Sequence, residues 1–77
     1  MDKKIVVDIK KGFISFIDKK YCIGDFSFCQ EARRAEIFAI NRTHVIFKGG
    51  YCLSIFQFCL INFNEHIPKK YIEIILI

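Results

Sequence analysis

The chain contains no tryptophan and only three leucines among 77 residues, and it carries none of the common short signatures of catalysis. There is no phosphate-cradling glycine loop, no paired-histidine metal motif and no nucleophile elbow. An enzyme is therefore not expected. No apolar run approaches the ~20 residues that a membrane-crossing helix needs. The longest uncharged segment, Gly49 to Asn64, is interrupted by Ser54, Gln57, Asn62 and Asn64. Met1-Asp2-Lys3-Lys4 leads into too few apolar residues before Asp8 and Lys10-Lys11 to make a secretory leader. These absences point to a cytoplasmic protein with no membrane partner. At 77 residues the chain forms a single small domain, residues 1–77, which excludes a barrel enzyme or a full dinucleotide-binding domain.

What is present is apolar and strand-forming. Hydrophobic residues make up 53% of the chain and aromatic residues 16%, which excludes intrinsic disorder. Scarce leucine is offset by 15 isoleucines and nine phenylalanines, residue types that pack well on a pleated surface. Together with the Lys, Asn and Tyr content, this is the bias of an AT-rich genome, as in a phage or other mobile element, a low-GC bacterium or a large DNA virus. A short chain has few interior positions, so so large an apolar share implies a surface covered by a partner, most simply a second copy in a homo-oligomer. The net charge of +4 keeps such a domain soluble and also admits nucleic acid as a partner.

Alternation of Ile5, Val7 and Ile9 with Lys4, Asp8 and Lys10 reads as a strand with one buried face. Phe13 to Ile17 and Tyr21 to Phe28 read as two further strands. Gln30 to Glu36 is a run of helix formers without glycine, proline or β-branched residues, and a short helix near residues 29–39 is expected, with Ala32, Ala35, Phe38 and Ala39 inward. A competing reading pairs Glu36–Ile40 with Thr43–Lys48 across Asn41-Arg42 as a hairpin. Tyr51 to Phe63 fits a strand apolar on both faces or a helix with Cys52, Leu53, Phe56, Cys59, Leu60 and Phe63 on one stripe. Its aromatic content and the preceding Gly49-Gly50 turn favour the strand. Tyr71 to Ile77 is a final strand, with Ile72, Ile74 and Leu76 on one face.

An internal echo supports the hairpin reading. Tyr21-Cys22, Phe26 and Phe28-Cys29 recur thirty residues on as Tyr51-Cys52, Phe56 and Phe58-Cys59, each copy following a pair that suits a turn, Lys19-Lys20 or Gly49-Gly50. The expected fold is α+β: a small antiparallel sheet of five to six strands with a repeated hairpin and one short helix. An all-β small barrel is the alternative.

Four cysteines spaced C-x6-C twice over do not make a zinc site, because on a strand the two thiols of each pair point to opposite faces. They read as small buried hydrophobes, and no metal or cofactor is expected. The basic residues fall in pairs, and Lys19, Lys20, Arg33, Arg34, Lys69 and Lys70 are the candidate contacts to an anion or nucleic acid. The sharper feature is the C-terminal strand. An exposed Ile-Ile-Leu-Ile edge promotes aggregation unless it is covered, so Tyr71, Ile72, Ile74 and Leu76, with Ile55 and Ile61, are the candidate interface. The function expected is a non-catalytic protein-interaction module, an inhibitor or adaptor, using the apolar C-terminal strand and basic turns. The alternative is a small basic nucleic-acid- or nucleotide-binding protein.

Overall fold

Ile5 and Val7 are almost fully buried while Lys4 is exposed, the half-buried alternation that selects a strand over a helix. The computed structural model describes residues 3–77, apart from the side chain of Lys69. This first strand, β1 (Lys3–Asp8), pairs antiparallel with β2 (Phe13–Phe16), and β2 pairs antiparallel with β3 (Lys19–Cys22). A second unit of antiparallel strands follows: β4 (Ile37–Ile40), β5 (His44–Phe47) and β6 (Cys52–Ser54). The helix α1 (Ile55–Phe63) continues directly from β6, and a 3-10 turn at Lys69–Tyr71 leads into β7 (Ile72–Leu76). The fold is therefore α+β with seven strands among the described residues, in two sheets ordered β3-β2-β1-β7 and β4-β5-β6. It is neither the one-sheet arrangement expected nor a closed barrel.

The last strand departs from the antiparallel expectation, because β7 runs parallel to β1, with Ile5 beside Ile74 and Val7 beside Leu76. A parallel return needs a crossover, and everything from β2 to the 3-10 turn forms it. Within the second sheet, the hairpin of β4 and β5 across Asn41-Arg42 is the reading that holds. A bulge sits between Ile37 and Ala39. It resets the alternation so that Ile37 and Ile40, three apart, both turn inward while Phe38 is left 65% exposed.

Two expectations are overturned by packing. Residues 29–36 form no helix. Ala32 adopts φ 58, and the segment doubles back so that the Phe28 N–H donates to the Arg33 carbonyl at 3.0 Å and Ser27 bridges to Arg34. Gln30 to Arg34 are all exposed. A helix this short is marginal without an apolar face to bury, and alanine alone offers too little area. Conversely, the strand expected over Tyr51–Phe63 holds only at Cys52–Ser54 (β6), and α1 replaces the rest. The Ser54 hydroxyl accepts from the Gln57 N–H at 3.2 Å to cap its start, and Asn64 ends it in the left-handed region at φ 52. Its buried side is Ile55, Phe58 and Cys59, and Phe56 is 40% exposed, so the inward stripe lies one step round from the one the sequence suggested.

The internal echo survives in part. Tyr21-Cys22 and Tyr51-Cys52 both lie on the return arm of a hairpin, and the copies then diverge into a turn and a helix. The first turn is Ile17-Asp18 rather than Lys19-Lys20, which belong to β3; the second is at Gly49-Gly50, with φ of +99 and +91. Phe-x-Phe does not share a strand face in either copy. Instead the copies pack on each other: Phe26 lies 5.0 Å from Phe58, and Phe28 stacks on Tyr51 at 3.9 Å, centroid to centroid. Phe63 closes this cluster by stacking on Phe16 at 4.1 Å, which ties the helix end to the first sheet. The buried rings among these, Phe16, Phe26 and Phe58, each contribute on the order of 1.5–3 kcal/mol.

Candidate functional site

The order β3-β2-β1-β7 leaves β7 at the edge of its sheet. The Ile77 N–H donates to the Val7 carbonyl at 2.9 Å. In a parallel ladder the residues that face the neighbour recur every second position, so Glu73, Ile75 and Ile77 turn their backbone groups to β1. Ile72, Ile74 and Leu76 then present their N–H and C=O groups outward. This is the unpaired row on which another strand can add. At the end of the strand the apolar surface is open as well, with Leu76 56% and Ile77 76% exposed.

The outward edge is one wall of a groove of about 450 Å³ lined by Arg42, Lys70, Tyr71, Ile72, Glu73 and Ile74. Arg42 reaches it from the β4–β5 turn. That turn is held by the Asn41 side chain, whose Oδ1 accepts from the Thr43 N–H at 2.8 Å, the His44 N–H at 2.9 Å and the Thr43 hydroxyl at 2.8 Å. The Thr43 carbonyl in turn accepts from the Ile55 N–H at 3.0 Å, fixing the turn to the start of α1. Lys70 is exposed, with its Nζ 5.0 Å above the Tyr71 ring. Among the described residues the one ion pair is Lys48 to Glu36, so neither groove cation is neutralised by such a contact.

The candidate interface residues separate on this frame. Ile72, Ile74 and Leu76 lie together on the edge, with Tyr71 just before them in the 3-10 turn, although the Ile74 side chain is buried and offers a partner only its backbone. Ile55 and Ile61 do not join them. Ile55 is 2% exposed because it opens the buried side of α1, and Ile61 is half-buried farther along the same helix. Neither belongs to the edge, and Ile55 is corrected to a core residue. Arg42 escaped notice because a lone arginine in a turn carries no signal until the hairpin is folded.

The basic pairs are divided too. Register places Lys19 and Lys20, at the start of β3, at the same end of the first sheet as Lys3, Lys4 and the 3-10 turn bearing Lys70; the Lys69 side chain lies outside the described residues. Lys10 and Lys11 sit at the opposite end. Arg33 and Arg34 occupy the loop between β3 and β4, anchored at that far end by the Ile37 N–H donating to the Ile23 carbonyl. They are not part of the Lys19–Lys20 cluster. Two aromatic rings near the lysines are already covered, Phe13 by Lys20 at 4.8 Å and Tyr71 by Lys70.

The cysteines are free and dispersed: Cys22 and Cys52 are exposed, Cys29 half-buried and Cys59 buried. Burial, and secondarily the Glu65 carboxylate, push the Cys59 thiol from 9.0 up to about 11. Among the described residues no three His, Cys, Asp or Glu side chains come together as an ion site, and no helix is long and apolar enough to cross a membrane. Comparison with known proteins returned nothing that matches, whether a protein family, a curated protein or a solved structure.

Proposed function

We propose that this protein is a non-catalytic protein-interaction module, a small inhibitor or adaptor, that takes up an extended segment of a partner as an additional strand beside β7. The observation that carries the reading is the outward row of backbone groups at Ile72, Ile74 and Leu76 beside exposed Leu76 and Ile77. Main-chain hydrogen bonds supply affinity in strand addition, and side chains beside the edge supply selectivity. A second copy of β7, antiparallel about Ile74, is the competing occupant of the same edge and would make a homodimer.

The test is to select peptides from a random library on the immobilised domain and map the bound peptide by amide hydrogen exchange. The expected footprint is slowed exchange at Ile72, Ile74 and Leu76. Leu76→Pro removes an outward N–H without touching the β1 ladder, and Leu76→Lys blunts the edge; both should abolish binding while leaving the fold intact. A footprint confined to other residues, or binding indifferent to both substitutions, rejects the reading.

The second reading, an anion or nucleic-acid contact, rests on Lys3, Lys4, Lys19, Lys20 and Lys70 sharing one end of the sheet. It is weaker, because the nearby Phe13 and Tyr71 rings are capped by lysines rather than open for base stacking. Binding of a single-stranded oligonucleotide that weakens steeply with salt would favour it.

A further inference from the structure

A strand added beside β7 places alternate side chains over the inner side of the groove and over the outer face of the sheet. The inner side changes character along its length. Beyond the groove, beside the exposed Leu76, it is apolar; near Ile72 it meets Arg42, brought in by the Asn41-stapled turn, and Lys70. Glu73 also borders the groove, but alternation along β7 turns its side chain to the outer face, where it lies beside Lys4, and Ile75 lies beside Val6. Charge complementarity therefore differs between the two faces of the incoming strand. On the inner face it favours carboxylates at the Ile72 end, and on the outer face Glu73 and the neighbouring Lys4 offset each other, so carboxylates gain nothing there.

Resting on the strand-addition reading, we infer that the segment bound at β7 is an acidic extended polypeptide with its acids on one face. An apolar side chain sits beside exposed Leu76, and four positions along on the same face, about 13 Å away, a carboxylate pairs with Arg42 and Lys70. An uninterrupted acidic run gains no more, because its alternate carboxylates fall on the outer face, where Glu73 and Lys4 offset each other and Ile75 is apolar. The alternation makes this a face-selective site: a one-residue slip exchanges the two faces of the bound segment.

The probes are synthetic octapeptides with threonine at every second position and, at the others, two valines followed by two glutamates. The same set is made in the reverse order, with lysine replacing glutamate, and with glutamate moved by one position. The acidic alternating probe, in one of its two orders, should slow exchange at Ile72, Ile74 and Leu76. The lysine and shifted probes should bind about tenfold more weakly, and Arg42→Glu should cost the acidic probe about tenfold, as expected for one or two partly exposed charge pairs replaced by repulsion. Arg42 and Lys70 are exposed, so Arg42→Glu and Lys70→Glu leave the core intact.

Equal binding of acidic and basic probes with the footprint at β7 overturns this inference and leaves strand addition standing. A footprint elsewhere, or none at millimolar probe, overturns both. Slowed exchange at the same three amides on raising protein concentration alone assigns the edge to a second copy. Displacement of the acidic probe by a twelve-nucleotide single strand at lower concentration assigns the cations to phosphate instead. Either result also overturns the inference.

Discussion

Replacing Asn62 tests how the long connection between β3 and β4 is held. Ser27 bridges to Arg34 on one side, and its own N–H and C=O turn the other way, toward α1. There the Asn62 side chain stands in for a strand. The Ser27 N–H donates to Asn62 Oδ1 at 2.7 Å, and Nδ2 donates to the Ser27 carbonyl at 3.0 Å and to the Phe58 carbonyl at 3.1 Å. Asn62→Ala deletes all three bonds at a half-buried position. At about 1 kcal/mol net for each bond, and with water partly replacing them, the loss is about 2–3 kcal/mol. A domain of this length has on the order of 4–12 kcal/mol in total, so the midpoint of thermal unfolding should fall by about 10–20 °C.

Asn62→Asp separates the geometry from mere volume. The carboxylate still accepts from the Ser27 N–H, but its other oxygen faces the Ser27 and Phe58 carbonyls, two acceptors. Ionisation is disfavoured there and the carboxyl is raised above its unfolded value of about 3.9. A raised folded value means that the variant keeps this contact below the unfolded value and loses it as pH rises through the folded one. The deficit of Asn62→Asp relative to the parent, measured by urea unfolding monitored by circular dichroism, should therefore grow from about pH 4 towards pH 7. A loss below about 0.5 kcal/mol for Asn62→Ala, or a deficit in Asn62→Asp that shrinks with rising pH, would refute the assignment.

Two further outcomes follow from local chemistry. Ile17 is a β-branched residue at φ 55 and 54% exposed, so Ile17→Gly relieves strain without removing core area and should raise stability by about 1 kcal/mol, or about 4–8 °C; a lower unfolding temperature would contradict the turn geometry. The Cys59 thiol, raised to about 11 by burial and by Glu65, stabilises the fold below its ordinary value of 9.0 and loses that contribution as pH climbs towards about 11. The decline of stability over that window should flatten in Cys59→Ala. At pH 8 an alkylating reagent should modify exposed Cys22 and Cys52 well before Cys59, and mass spectrometry showing Cys59 modified first would reject its buried place.

Alternation of Ile5 with Val7, the Gly49-Gly50 pair and the run from Ile72 to Leu76 made the strands β1, β5 and β7 legible from the chain alone, because each is a local pattern of period two bounded by turn residues. The position of β7 was legible only as a need. Its apolar residues required cover, but nothing in their order showed that they would lie parallel to β1 at a sheet edge. Arg42 was invisible for a similar reason: its place beside Ile72 depends on the β4–β5 turn being carried across to β7.

The sequence by itself determined an α+β domain built of short hairpins, with a C-terminal strand too apolar to stand alone. Only the tertiary structure decided which segment became the helix. Gln30 to Glu36 has the better helix propensity, yet intrinsic preferences differ by at most about 0.7 kcal/mol per ordinary residue. Ile55, Phe58 and Cys59 are each enclosed in the hydrophobic core, where burying an Ile or Phe side chain contributes about 1.5–3 kcal/mol. Burial on that scale outweighs propensity, and it gave the helix to residues 55–63.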